Sequence, residues 1–187
     1  DGYFYVSYYD TNIGIHNILY SGIESADNYD HIYQADLCGW VGQLGYGKES
    51  AFFANIYTAE EKEELEAVGF YATGENTSYQ VYTGSSQFGR RRKVASGEVA
   101  NAGYYTVLLD KTVTLEAGER FAVIVEITTP GAIHPVAIEY SSPDKGLTVD
   151  LSDGEGYISY RGSSWERVET EQNCNVCLKA YTRNVDS

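Results

Sequence analysis

The side chains able to do chemistry are few and scattered. Cysteines stand at 38, 174 and 177, and Cys174-Asn-Val-Cys177 has the spacing of half a zinc grip. Val176, Leu178 and Ala180 alternate as the buried face of a closing strand, which would turn the two sulfurs to opposite sides and keep them from one ion. No second CxxC and no nearby histidine completes a ligand set, so the pair reads as packing cysteines. The odd count leaves at least one thiol free or paired elsewhere. Nucleophilic catalysis needs a Ser or Cys beside a base that a third group orients. The bases on offer are His16, His31 and His134, none in a motif with Ser or Cys, and neither G-x-S-x-G nor H-E-x-x-H occurs. Among 27 acidic residues nothing singles out the carboxylate pair of a glycosidase. The chain is therefore read as binding rather than catalysing.

Sugars present apolar C–H faces that stack on Tyr and Trp rings, with polar neighbours fixing the hydroxyls. Trp40, Tyr46, Tyr157, Tyr160 and Trp165 lie in or beside Gly-rich loops and are the candidate ligand-binding residues. The competing reading makes Trp40 and Trp165 caps on the ends of the core. Gly42-x-x-Gly45-Tyr-Gly47 has no strand directly before it, no helix after it and no Lys-Ser/Thr ending, so a tight aromatic loop replaces a phosphate loop. Asp150, Asp153 and Glu155, in the Gly- and Asp-rich stretch 144–156, are the calcium candidates; their spacing is not that of an EF-hand, and a plain acidic loop is the simpler reading. No other cofactor is expected. Arg90-Arg-Arg-Lys93 reads first as a solvated loop, with an anionic polymer or a trypsin-like protease as alternatives. Asn76-Thr-Ser78 is a glycosylation sequon.

The elements that must position these residues are strands. In Arg120 to Ile127, Phe121, Val123, Val125 and Ile127 fall on one face and Arg120 and Glu126 on the other; Tyr105, Val107 and Leu109 repeat the pattern before a Gly-containing turn. Together Tyr104 to Thr129 predicts a hairpin with one apolar face, which a second sheet must cover. Further strands are expected at 31–36, at Ala51 to Tyr57 with Phe52, Ala54 and Ile56 together, at a stretch carrying Val68, Phe70 and Ala72 inward, at 79–83, 136–140, 157–160 and 174–183. Thr58-Ala-Glu-Glu61 has capping-box form but room for only a turn. Nine or ten short strands predict an all-β, jelly-roll-like β-sandwich of two antiparallel sheets.

A chain of 187 residues suits one such domain. Eighteen Tyr and 19 Gly favour strands and tight turns. The formal charge of −14 argues against nucleic acid as a partner, and no run of 18 apolar residues would insert in a membrane. The chain opens at Asp1 within a strand-like run, which predicts a piece of a longer protein.

From His31 to Thr182 the sequence resembles the lectin-like domain that follows papain-like cysteine peptidase domains in secreted proteins of clostridia, related gut bacteria and some archaea. HIYQADLCGW, GYGKESAFFANIYTAEEKEELEAVGFYA, NTSYQVYTG, AGYYTVLLDKTVTLEAGERFAVIVEITTPG, HPVAIEY and GYISYRGSSWERVETEQNCNVCLKAYT carry the resemblance in order. GYFYVSYYD, at residues 2–10, is similar to the final strand of such a peptidase, without its Asn-Ser-Trp-Gly segment or nucleophilic Cys. The resemblance implies a peptidase remnant at 1–14, a linker at 15–30, the lectin-like sandwich at 31–183 and a tail at 184–187. It implies a non-catalytic module, secreted or at the cell surface, whose partners are a carbohydrate or cell-surface polymer and an upstream peptidase domain in the same chain. The runner-up is a structural or protein-binding module that supports the peptidase without sugar binding.

Overall fold

The computed structural model describes residues 27–185 continuously, together with Tyr5, Ser7, Tyr9, 19–22 and Ser25. Most of the expected peptidase remnant at 1–14, and part of the linker at 15–30, lie outside the described residues. Thirteen strands form among the described residues: β1 (His31–Tyr33), β2 (Gly42–Leu44), β3 (Ser50–Thr58), β4 (Glu63–Ala72), β5 (Thr77–Ser85), β6 (Arg92–Val99), β7 (Gly103–Leu115), β8 (Arg120–Thr128), β9 (Val136–Glu139), β10 (Gly156–Ser159), β11 (Glu166–Arg167), β12 (Asn175–Val176) and β13 (Leu178–Asn184). One short helix, α1 (Val168–Glu171), precedes β12. Among the described residues no helix is long and apolar enough to cross a membrane.

The sandwich pairs a four-stranded sheet, β1-β13-β4-β7, with a six-stranded sheet, β11-β10-β3-β8-β5-β6. A third sheet of three short strands, β12-β9-β2, adds to the two expected. All pairings are antiparallel. Phe53, Phe70, Phe121, Val123, Val125, Ile127, Val68 and Leu178 meet in the core between the sheets, as the alternation in β8 and β4 predicted.

The expected hairpin of Tyr104 to Thr129 is corrected. β7 pairs with β4 and β8 with β3 and β5, so the turn at Glu116–Glu119 arches from one sheet to the other. The connection 59–62 between β3 and β4 does the same, and the two arches bond to each other through Ala59 N to Glu119 O (2.9 Å) and Gly118 N to Ala59 O (2.8 Å). The period-two pattern reports which face is buried and not which strand lies alongside.

In β3 every residue from Ala51 to Ile56 is buried. Phe53 and Ala51 enter the core, whereas Phe52, Ala54 and Ile56 point the other way and join Ala122 and Ile124 on the outer face of the six-stranded sheet. A continuous apolar run is the signature of a strand covered on both sides. Asn55 shares the core face: its Nδ2 donates to Leu178 O (3.1 Å) and Tyr57 Oη (2.9 Å), and Tyr57 Oη donates to the same carbonyl (2.5 Å), tying the central strand to β13 in the opposite sheet. Glu63, fully buried in β4, accepts from Tyr33 Oη (2.5 Å), Glu60 N (3.2 Å) and Thr182 Oγ1, which fixes β1 and β13 against β4. Such acceptors are expensive to bury unpaired, and these partners remove that cost.

Candidate functional site

The five aromatic candidates fall in three places. Tyr46 and Tyr160 come together, with ring centroids 5.9 Å apart. Tyr46 follows β2 and Tyr160 follows β10. The turn after Tyr160 is closed by Gly162 N donating to Ser159 Oγ (2.9 Å). Tyr160 remains 41% exposed and lines two clefts. One, of about 420 Å³, is walled by Lys48, Glu49, Ser50 and Ile133; the other, of about 220 Å³, by Tyr46, Arg161, Ser163, Ser164 and Glu166. Tyr46 Oη donates to Glu166 Oε1 (3.3 Å), and burial, reinforced by the Glu166 charge, pushes its phenol up to about 12. The hydroxyl therefore stays protonated and oriented at neutral pH. Arg161 lies over the Tyr160 ring, 5.5 Å from its centroid. An exposed ring flanked by hydroxyls and charges can stack one face of a sugar and bond its edge.

Trp165 and Tyr157 lie elsewhere, on the outer face of the six-stranded sheet. Phe88, from the loop between β5 and β6, stacks on Trp165 at 4.4 Å and meets Tyr157 edge-on at 5.0 Å; Trp165 in turn stands edge-on to Phe52. Phe88 has φ of 57°, a left-handed conformation uncommon for a bulky residue. Arg91 fastens the same loop. Its guanidinium lies 5.1 Å from the Phe52 ring centroid and 5.2 Å from that of Tyr82, and Nη1 donates to Gly162 O (2.8 Å). Gly162 is required there: its φ is 69°, and an added Cβ would fall 2.7 Å from Arg91 Nη1 and 3.0 Å from Phe52. Trp165 thus covers a second apolar layer, close to the capping role weighed for it.

Trp40 belongs to a third place. Its ring is 5.9 Å from Tyr71, which is 5.0 Å from Tyr104; Tyr104 and Tyr181 share a hydroxyl hydrogen bond, and Tyr181 lies 4.9 Å from Tyr29. This run crosses the outer face of the four-stranded sheet. Gly69 makes room for it, since a Cβ there would sit 1.9 Å from Tyr104 Oη. Tyr20, Ile32, Tyr105 and Thr106 line the adjoining groove of about 530 Å³.

Most of the remaining chemistry-bearing residues among those described are buried or paired within the fold. Cys174 and Cys177 are buried free thiols; burial pushes Cys174 up to about 12 and Cys177 higher still, so neither offers a thiolate. Cys38 is an exposed free thiol. His31 Nε2 lies 3.0 Å from Asn184 Oδ1 and Nδ1 lies 3.5 Å from Glu60; His16 lies outside the described residues. Among the described residues no three His, Cys, Asp or Glu gather as metal ligands. Asp150 Oδ1 accepts from Ser152 N and Oγ, and Glu155 pairs with Arg120, while Asp153 is exposed. The oxygens a hard cation favours converge instead through Asp150's carbonyl: with Glu139 Oε1 and Ala35 O it surrounds Asn175 Nδ2 at 2.7, 2.8 and 3.2 Å.

Sequence reasoning missed Phe88, Arg91 and Arg161. Phe88 is a single aromatic in a polar loop, Arg91 sits in a run that reads as solvated charge, and nothing in the sequence singles out Arg161; the contacts between the two loops are what join them.

No curated protein matches the chain in sequence. Solved structures that resemble its fold include two of one cysteine protease. The clostridial cysteine protease Cwp84 after propeptide cleavage superposes with a TM-score of 0.68 at 20% identity, over 83% of this chain and 40% of that one. The cysteine protease and lectin-like domains of Cwp84, a surface layer associated protein of Clostridium difficile, superpose with 0.67 at 22% identity, over 83% of this chain and 36% of that one. The chain thus spans well under half the length of either. The family model for the lectin-like domain matches residues 32–182, from β1 into β13. The chain belongs to the lectin-like domain family.

Proposed function

We propose that this domain binds carbohydrate at the Tyr46–Tyr160 platform and so holds an attached cysteine peptidase at a cell-surface polymer. A lectin-like domain is a non-catalytic accessory module. The observation that carries the sugar reading is the exposed Tyr160 ring between two clefts edged by Ser163, Ser164, Glu166, Arg161, Lys48 and Glu49. Shallow clefts of this size give weak single contacts, and tethering compensates by raising the effective concentration of the peptidase at its target. A glycan-array screen tests the reading. Saturable binding that Tyr160→Ala abolishes, in a variant with unchanged melting temperature, is the expected result; binding unaffected by Tyr160→Ala, or silence across the array, overturns it.

A second reading rests on the tyrosine run. The outer face of the four-stranded sheet presents Ile32, Tyr104 and Leu108 to solvent, with Leu108 69% exposed. The chain before β1 reaches this face: Tyr20 and Tyr29 line its groove, Asp30 N donates to Thr182 O (3.0 Å), and Arg183 donates to Asn28 O. A peptidase domain preceding residue 19 would be tethered beside an apolar, aromatic surface suited to a domain interface.

A further inference from the structure

We propose that the ligand of the Tyr160 platform is an anionic glycopolymer, whose carboxylate or phosphate groups are held by Arg161, Lys48 and the exposed basic side chains of the β5–β6 hairpin. This rests on the carbohydrate reading above and names the ligand class.

The chain has 27 acidic and 13 basic residues, so acids outnumber bases about two to one. In such an excess a surface base readily finds a carboxylate, and most outside this region do. Lys62 pairs with Glu116, Arg120 with Glu155, Arg167 with Glu169, Lys179 with Asp36 and Arg183 with Glu66. Among the described residues Lys48, Arg90, Arg92, Lys93 and Arg161 have no ion pair. All five are exposed. Lys111, on β7, is another base without one.

The fold joins the β5–β6 loop to the turn that carries Arg161. The 90–93 run is about 70 positions from Arg161 in sequence, yet Arg91 Nη1 bonds Gly162 O, the carbonyl of the residue next to Arg161. Arg91 is consumed by this bond and by the Phe52 and Tyr82 rings, so it acts as the fastener while its neighbours stay free. On the other side, Lys48 lines the larger cleft at Tyr160. Two acids face the platform as well, and both are engaged: Glu49 Oε1 accepts from Gly131 N (2.7 Å) and Glu166 from Tyr46 Oη. A basic rim on an otherwise acidic protein repels anions everywhere except at the site, which favours selectivity and orientation more than raw affinity. Stacking on Tyr160 supplies the sugar-specific part, and the rim supplies the preference for charge.

The test uses the full chain against three immobilised polymers: polygalacturonate for carboxylate, poly(glycerol phosphate) for phosphate, and dextran as a neutral control, with a neutral glycan array alongside. The expected result is binding to at least one charged polymer over dextran, weakened about tenfold by Arg90→Ser/Arg92→Ser/Lys93→Ser with Arg91 retained, and lost in Tyr160→Ala. Raising the salt should weaken it likewise. The charged polymer preferred tells carboxylate from phosphate. Binding to neutral glycans that Tyr160→Ala abolishes but the triple variant leaves unchanged overturns the anionic assignment and leaves the lectin reading standing. Binding to charged polymers that survives Tyr160→Ala overturns the placement at the platform. Silence toward every polymer and glycan overturns both. Melting temperatures of the variants separate lost binding from lost folding.

Discussion

The two sheets treat their outer faces differently. The six-stranded sheet carries Phe52, Ala54, Ile56, Ala122 and Ile124 outward and covers them with its own chain, using the stacked Phe88 and Trp165 and the Arg91 bond to Gly162. The four-stranded sheet carries Ile32, Tyr71, Tyr104, Tyr181 and Leu108 outward; Trp40 packs on Tyr71 and the segment leading into β1 lines the groove beside Tyr104 and Tyr181, while Ile32 and Leu108 stay more than half exposed. An apolar face that the chain covers itself contributes to its stability, whereas one left exposed is available to a partner. The same alternation along a strand therefore yields a second core on one sheet and an exposed apolar face on the other.

Removing the cover is the strongest way to break this contrast. Trp165→Ala deletes a ring that packs on both Phe88 and Phe52, and it should cost about 2–3 kcal/mol, somewhat below a fully buried Trp, because Trp165 is only half-buried. A denaturant titration measures it, and a loss under about 0.5 kcal/mol would show that the outer layer contributes nothing to folding.

The opposite face should behave in reverse. Leu108→Lys, at a position already 69% exposed, is expected to change the stability of this chain by no more than about 0.5 kcal/mol. In a longer protein that includes the preceding domain, amide exchange at β7 should slow relative to this chain, and Leu108→Lys should reverse the slowing. Equal exchange rates in both would remove the docking reading while leaving the contrast in packing intact.

The smallest effect is in pH. Burial raises the carboxyl of Glu169, which accepts from Gly156 N (2.6 Å) behind the six-stranded sheet, and that of Asp36, which pairs with Lys179 of the four-stranded sheet at 2.7 Å. A raised folded-state value means that the folded chain binds more protons than the unfolded chain in the window between the two values. Stability from these groups therefore falls as pH rises from the ordinary carboxyl range through the raised folded values. Glu169→Gln keeps an acceptor for Gly156 N and should flatten part of that fall; a melting-temperature profile across mildly acidic pH, unchanged in the variant, would assign the slope elsewhere.

Much of the architecture is legible in the sequence. Phe121, Val123, Val125 and Ile127 alternate toward the core as read, and Val68 and Phe70 join them. The partner of each strand was not legible: β7 and β8 look like a hairpin because the turn between them is short, but a short turn also serves an arch between sheets. Among the candidate site residues, Tyr46 and Tyr160 were singled out by type and loop setting, but that their rings meet was not legible. Trp165 packs on Phe88 and Phe52, and Trp40 on Tyr71, contacts that loop setting alone did not reveal.

By itself the sequence determined the class of fold, through period-two alternation, glycine-marked turns and abundant tyrosine, because these are local consequences of strand geometry. It also determined the apolar set along single strands, such as Phe121 to Ile127 in β8 and Phe52, Ala54 and Ile56 in β3, but not that β3 is covered on both sides. The tertiary structure alone decided what supplies the cover. Whether a surface aromatic is buried, stacked or free depends on loops remote in sequence, such as 86–91 meeting 160–165 through Arg91 and Gly162. That meeting is a long-range contact with no local signature, and it separates the platform at Tyr160 from the second core at Trp165.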